Sequence, residues 1–196
     1  VAKTYPIGPL KVYVEDDPDL SFAERHFVEA ASQTFNVGAP LKLGTNGLAE
    51  WVSNADAAIF AWALTKGQNS TSVPAYAISN NDQAITAAPT MLKGILADQD
   101  IIIEGNLLAA SAANYVLLAA DWGATKDLIK KTALYTAGGA NQDGWYVQNT
   151  ASAATVQILS FGSMFTSPTT NDWGAIPGDT NAIVRVKVIP GKSVWY

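Results

Sequence analysis

The chain has 196 residues, room for one sizeable domain or two small ones, and 48% of them are apolar, which supports a packed core and argues against disorder. Only 15% are charged, with 12 basic against 17 acidic residues and a formal net charge of −5. Without a Lys/Arg stripe, neither nucleic acid nor an anionic membrane meets a complementary field, and the absence of cysteine removes disulfides, thiolate catalysis and cysteine zinc sites together.

Missing disulfides lean towards folding in a reducing cytoplasm. The start, VAKTYPIGPL, has no charged region followed by an apolar one, so no signal peptide is visible. A small Val1 fits a clipped initiator Met, and a processed N-terminus would look the same. Residues 1–15 are expected to form an extended arm and a first strand, and 16–196 a single β-rich domain. Within the arm, Val1–Pro9 carries two prolines, and LKVYVE (Leu10–Glu15) alternates with period two, which predicts a strand. DDPD (Asp16–Asp19) is a turn. Ser21–Phe35 reads as a short turn or helical piece, with Ser21 and Glu24 spaced as a capping box, followed by a strand.

APLKLG and GLAEWV flank GTNG, and Asn46-Gly47 between β-compatible flanks is a strong hairpin signal. Leu41 and Leu43 would share one face. AAIFAWAL (Ala57–Leu64) is a continuous apolar run, short enough for a strand buried on both faces, so three consecutive strands are expected to form a meander. Thr65–Gln83 is a long polar loop. DIIIEG predicts a strand ending at Gly105, and NYVLLAADWG another. The segment from Asn106 to Ala120 is too short and too broken to span a membrane.

Ala124–Thr136 fits either a helix or a strand and turn. GGANQDG (Gly138–Gly144) is a turn, and WYVQNT is expected to pair with ATVQILSFG across ASA. Thr166–Asn181 is another exposed loop. AIVRVKVIP alternates cleanly, with Val184, Val186 and Val188 on one face and Ile183, Arg185 and Lys187 on the other. Eight to ten short strands with frequent turns predict a mainly β fold, an antiparallel β-barrel or sandwich with long loops and few short helices. No internal repeat is visible.

Candidate chemistry is sparse. His26, the only histidine, needs a nucleophile or carboxylate brought to it by the fold, and otherwise is a solvated side chain. Glu15, Asp16, Asp17 and Asp19 lack the glycine and the spacing of a calcium loop and read as a solvated turn. Asp98, Asp100 and Glu104 offer a carboxylate pair of the kind glycosidases use, against a background of ordinary surface acids. No phosphate-binding glycine motif occurs. Asn69–Thr71 formally matches a glycosylation sequon. Of the six tryptophans, Trp51, Trp62 and Trp145 lie in or beside apolar strands and read as core or interface residues. Trp122 falls in NYVLLAADWG. Trp173 is the best exposed candidate, and Trp195 and Tyr196 need something to dock on.

FNVGAPLKLGTNGLAEWVSNADAAIFAWAL resembles a recurrent theme of tailed-bacteriophage structural proteins. That theme is a G-x-P-[LV]-K-L phrase, a hairpin, an acidic-Ala step and an I-[FL]-G-[IV]-A-L strand, with Ala61-Trp62 here where Gly-Ile is usual. DGWYVQNTASAATVQILSFG and GDTNAIVRVKVIPGKSVW are similar to the C-terminal halves of such virion proteins. The resemblance implies a capsid decoration (cement) protein: β-rich, often trimeric, and seated on the outer face of the head, where it clamps neighbouring capsid subunits.

The expectation is therefore a non-enzymatic virion structural protein made in the host cytoplasm. It would bind the major capsid protein as a homotrimer, without cofactor, metal, nucleic acid or membrane. Strand augmentation assigns capsid binding to Val1, Ala2, Lys3, Thr4, Tyr5, Pro6 and Ile7. Trp173, Trp195 and Tyr196 are the interface candidates. The alternative is a carbohydrate-binding or adhesin module on a virion or cell surface, resting on the Trp and Asn content and the two long loops.

Overall fold

The computed structural model describes residues 2–13, 25–44, 47–51, 58–67, 91–97, 101–161 and 175–194. Among them the chain is mainly β, with eleven strands, two short 3-10 turns and no longer helix. The strands are β1 Lys11–Tyr13, β2 Arg25–Val28, β3 Pro40–Gly44, β4 Gly47–Glu50, β5 Ala61–Ala63 and β6 Met91–Leu96, then β7 Ile102–Leu108, β8 Thr125–Ala137, β9 Ala140–Gln148, β10 Val156–Ser160 and β11 Ile183–Val188.

Two sheets form. One runs β2-β6-β5-β3-β4, all antiparallel, and a parallel bridge between Glu29 and Leu48 brings its two ends together. The other runs β1-β7-β11-β10-β8-β9, and parallel pairing of β7 with β9 closes five of its strands into a ring, with β1 attached outside on β7. Closure removes most of the exposed edge that open sheets must protect.

The two rings have the same topology. In each, the first strand pairs with the fifth, the fifth with the fourth, the fourth with the second and the second with the third, all antiparallel, and the third returns parallel to the first. The correspondence holds at single hydrogen bonds. Gly38 N–H donates to Ala63 C=O at 2.8 Å and Ala63 N–H to Ala39 C=O at 2.9 Å. In the second ring Gly123 N–H donates to Ile158 C=O at 3.1 Å and Ile158 N–H to Ala124 C=O at 3.0 Å. The preceding turns match too, with Ala39 N–H on Asn36 C=O and Ala124 N–H on Asp121 C=O, both at 3.2 Å. Both turns place a glycine at positive φ, Gly38 at 85° and Gly123 at 72°. The sequence shows no repeat, yet the chain is two barrels of one topology in tandem.

The hairpin forms, with Gly44 opposite Gly47, Leu41 opposite Glu50 and Leu43 opposite Leu48; Gly47 is thus a strand residue, and the connecting residues 45–46, Asn46 included, lie outside the described residues. Leu41 is buried, but Leu43, at the open tip, is exposed. The expected meander does not form: β5 pairs with β3 on the side away from β4. The NYVLLAADWG strand is absent. Val116 makes one bridge to Thr180, and 3-10 turns occupy Ala110–Ala112 and Ala119–Asp121. The ambiguous segment from Ala124 is strand β8. Of GGANQDG only Gly138 and Gly139 form the turn, with positive φ between the paired Ala137 and Ala140, and the rest continues into β9. β9 and β10 do not pair with each other, because β8 lies between them. DIIIEG continues past Gly105 to Leu108, and β11 buries Val184, Val186 and Val188 as its alternation requires.

One apolar cluster runs through both barrels, joining Leu41, Trp51, Ile59 and Trp62 of the first to Ile103, Trp145, Val147, Ile158 and Val186 of the second. The rings of Trp51 and Trp145 meet with centroids 5.4 Å apart. The segment after β11 crosses back to the first barrel: Ile59 N–H donates to Lys192 C=O, Val194 N–H to Ile59 C=O, and Ser193 O–H to Ala97 C=O at 2.6 Å.

Candidate functional site

Val1, Trp173, Trp195 and Tyr196 lie outside the described residues, as do Glu15, Asp16, Asp17, Asp19, Asp98, Asp100 and the Asn69–Thr71 sequon. The rest of the arm, residues 2–9, is extended and tied to the second barrel. Thr180 N–H donates to Lys3 C=O at 2.7 Å, and Tyr5 N–H to Thr180 C=O at 3.0 Å, a parallel bridge between Thr4 and Thr180. The fully buried Asp179 carboxylate accepts from Lys3 N–H at 2.7 Å, Ile176 N–H at 3.0 Å and the Tyr5 hydroxyl at 3.4 Å. Buried Asn106 accepts from Gly8 N–H and donates to the carbonyls of Pro6 and Asn181. Burial, and then the Asp179 charge, raises the Tyr5 hydroxyl above its ordinary pKa, so the neutral donor is the form held.

The latch leaves one side of the arm open. In a parallel bridge of this pattern Lys3 C=O and Tyr5 N–H face Thr180, so the N–H and C=O of Thr4 point the other way. Thr4 is exposed, and neither group has a partner among the described residues.

The strip continues across Thr180. Leu117 N–H donates to Asp179 C=O and Asn181 N–H to Tyr115 C=O, so residues 115–117 run along the far side of 179–181. Leu117 points inward at 1% exposure while Val116 and Leu118 stand out at 49% and 52%. Gly178 N–H on Leu117 C=O brings up the turn that carries Ile176, also exposed. Asp121, buried just beyond, fixes this segment by accepting from Leu118 N–H at 2.9 Å, from the Tyr115 hydroxyl and from Lys126 Nζ at 2.7 Å. Thus the arm, Thr180 and an outward-facing apolar row lie side by side.

A second feature lies where the barrels meet, an open cleft of about 340 Å³. Residues 34–39, Glu50 and Lys66-Gly67 of the first barrel face Lys130 and residues 141–145 of the second, with Pro9 and Leu10 beside them. Glu50 lies at its base, accepting from Lys130 Nζ at 2.7 Å and from the indole N–H of Trp145 at 3.1 Å. Asn36 Nδ2 donates across the junction to Asp143 C=O at 2.9 Å.

The other candidates are not assembled into a site. His26 is exposed on β2 opposite Lys93, and Glu104 pairs with Arg185 at 2.9 Å. Trp51, Trp62 and Trp145 are buried and offer no platform, whereas Trp122 is half exposed at the turn before β8, its ring edge-on to Phe161. Among the described residues no group of three or more His, Asp or Glu side chains is placed to hold a metal, and no helix is long and apolar enough to cross a membrane.

Sequence reading passed over the residues that organise these features: Asn106, Asp121, Asp179, Asn181 and Glu50. Only Glu50 left a trace, sharing a strand face with Leu48, where a charge among apolar residues signals a buried partner. No family model, curated protein or solved structure matches the chain.

Proposed function

We propose that this chain is a non-enzymatic virion structural protein. In this reading it binds the outer surface of a tailed-phage capsid as a homotrimer and stabilises contacts between major capsid protein subunits. The phage-like sequence themes supply the identity of the partner. The observation that carries docking is the strip: an arm whose Thr4 backbone edge is open, with the exposed apolar side chains of Val116, Leu118 and Ile176 across Thr180 from it. An open edge accepts a strand from a partner and the apolar row supplies area to bury beside it. Weak single contacts suffice on a lattice, where a trimer engages several subunits at once.

Co-sedimentation with undecorated phage heads tests this reading. Thr4→Pro removes the outward N–H and leaves the Lys3 and Tyr5 bonds in place, and Val116→Asp puts a charge into the apolar row. Each is expected to weaken head binding at least tenfold with the thermal midpoint unchanged. Native-strength binding by both variants, or no binding by the parent chain, contradicts it. Deleting the whole arm is a poorer test, because Asp179 and Asn106 would lose their partners and the fold would weaken.

A further inference from the structure

We infer that Trp122 is the anchor of the docking strip, the side chain that fills an apolar pocket on the capsid protein. This rests on the docking role proposed above and names the residue that dominates it. Trp122 holds the first central position of the turn Asp121–Ala124, with φ −61° and ψ 129°, and Gly123 follows at φ 72°, the angles of a type II turn. Its equivalent in the first barrel is Val37, in the turn Asn36–Ala39 closed by the same hydrogen bond. Both side chains stand out, Trp122 at 51% and Val37 at 44% exposure. The turn therefore projects whatever residue it carries at this place, and a valine there satisfies the fold. A tryptophan is larger than the fold requires.

Short contacts join Trp122 to the apolar row. Its ring meets Phe161 edge-on, with centroids 5.5 Å apart, so the indole is positioned before any partner arrives. Phe161 C=O accepts from Ala175 N–H at 2.8 Å, next to the exposed Ile176. On the other side Trp122 N–H donates to Ala119 C=O and Asp121 N–H to the C=O of the exposed Leu118. The polar groups beside the ring are engaged within the chain. Buried Asp121 accepts from Leu118, Tyr115 and Lys126, and Gln157 Nε2 donates to Gly123 C=O. A ring among aliphatic side chains suits an apolar protein pocket, whereas a sugar needs open hydrogen-bonding groups around its platform. Val116, Leu118, Trp122 and Ile176 together expose roughly a few hundred Å², against the roughly 800 Å² that each partner gives to a stable free-standing complex. The row is thus too small to hold two copies of this chain together by itself, and fits a contact repeated over a lattice. A preorganised tryptophan is the residue type on which such a small contact depends most.

The test is co-sedimentation of the full chain with undecorated phage heads, comparing the parent with Trp122→Val, which copies the first barrel's turn, and with Trp122→Phe. Trp122→Val should bind at least about thirtyfold more weakly and Trp122→Phe should recover part of the loss. Hydroxyl-radical footprinting of the parent needs no variant, and so decides even if Trp122→Val fails to fold. It should show Trp122 oxidised in the free protein and protected on heads. With the parent bound, native-strength binding by a folded Trp122→Val, or full oxidation of Trp122 on heads, overturns the anchor and leaves the docking strip standing. Competition of head binding by free lactose or N-acetylglucosamine also overturns it, by making the ring a sugar platform. Loss of self-association in Trp122→Val does so too, by making the ring a contact between copies. A parent that binds no heads overturns the docking role itself, and the anchor with it.

Discussion

Glu50 and Trp145, 95 positions apart, join the two barrels, with the indole N–H donating to the Glu50 carboxylate at 3.1 Å while Lys130 neutralises its other oxygen. Glu50→Ala leaves the Trp145 donor buried without an acceptor and opens a gap beside the Trp51–Trp145 contact. Lys130 reaches solvent and recovers part of its hydration, so the expected loss is about 2 kcal/mol in urea unfolding. Glu50→Gln keeps an acceptor for the indole and should lose about half as much. Equal losses for the two variants would mean that the indole bond contributes nothing.

Asp127 predicts an acid limit. Burial pushes its carboxyl up, but the Ser152 hydroxyl and the N–H groups of Ala153, Ala154 and Ser152 outweigh that, and its pKa falls below the ordinary 3.8. A carboxyl whose folded pKa is lowered adds stability above the unfolded value, and that stability is lost as pH falls through the folded pKa. The parent should therefore lose stability from about pH 4 downwards. Asp127→Asn should be weaker at pH 7 and fall less steeply below pH 4. Parallel curves for the two proteins in urea titrations across that range would refute the assignment.

The repeated turn offers an internal control. Gly38 and Gly123 hold the same place in the two barrels and both have positive φ. A Cβ on Gly123 meets open space, so Gly123→Ala should cost only the left-handed strain, about 1 kcal/mol. A Cβ on Gly38 collides with the Leu10 carbonyl oxygen, so Gly38→Ala should cost more than about 3 kcal/mol or prevent folding. Similar losses at both sites, measured by thermal unfolding, would contradict the described packing of Leu10.

What the sequence revealed and concealed follows from range. The pairing of β3 with β4 in a hairpin and the alternation of β11 are local, and both read correctly. Pairings across long connections did not, because β10 has no local reason to prefer β8 over β9. NYVLLAADWG misled because a run of apolar residues hides that only Leu117 turns inward, while Asp121 holds the backbone in a turn. The tandem repeat is invisible because most equivalent positions diverged in chemistry: Leu41 corresponds to Lys126 and Ala61 to Val156, while the Gly-Ala pairs at Gly38 and Gly123, and Leu43 with Leu128, kept their residues. The arm's latch went unseen because Asp179 and Asn106 are, as letters, ordinary loop and strand polar residues.

The latch itself can be opened. Asp179→Ala removes the acceptor for Lys3 N–H, Ile176 N–H and the Tyr5 hydroxyl. Amide exchange at Tyr5 and Thr180 should then accelerate by at least tenfold while β8 and β9 stay protected. Unchanged protection at Tyr5 would show that the arm is held by other contacts.

The most direct test of the proposed role is electron cryomicroscopy of the particle that carries this chain. The account predicts density for the paired five-stranded barrels on the outer capsid surface, three copies around an axis, with Thr4, Val116 and Leu118 facing the major capsid protein. Density for the chain away from the capsid surface, or on it with that strip turned to solvent, would contradict it.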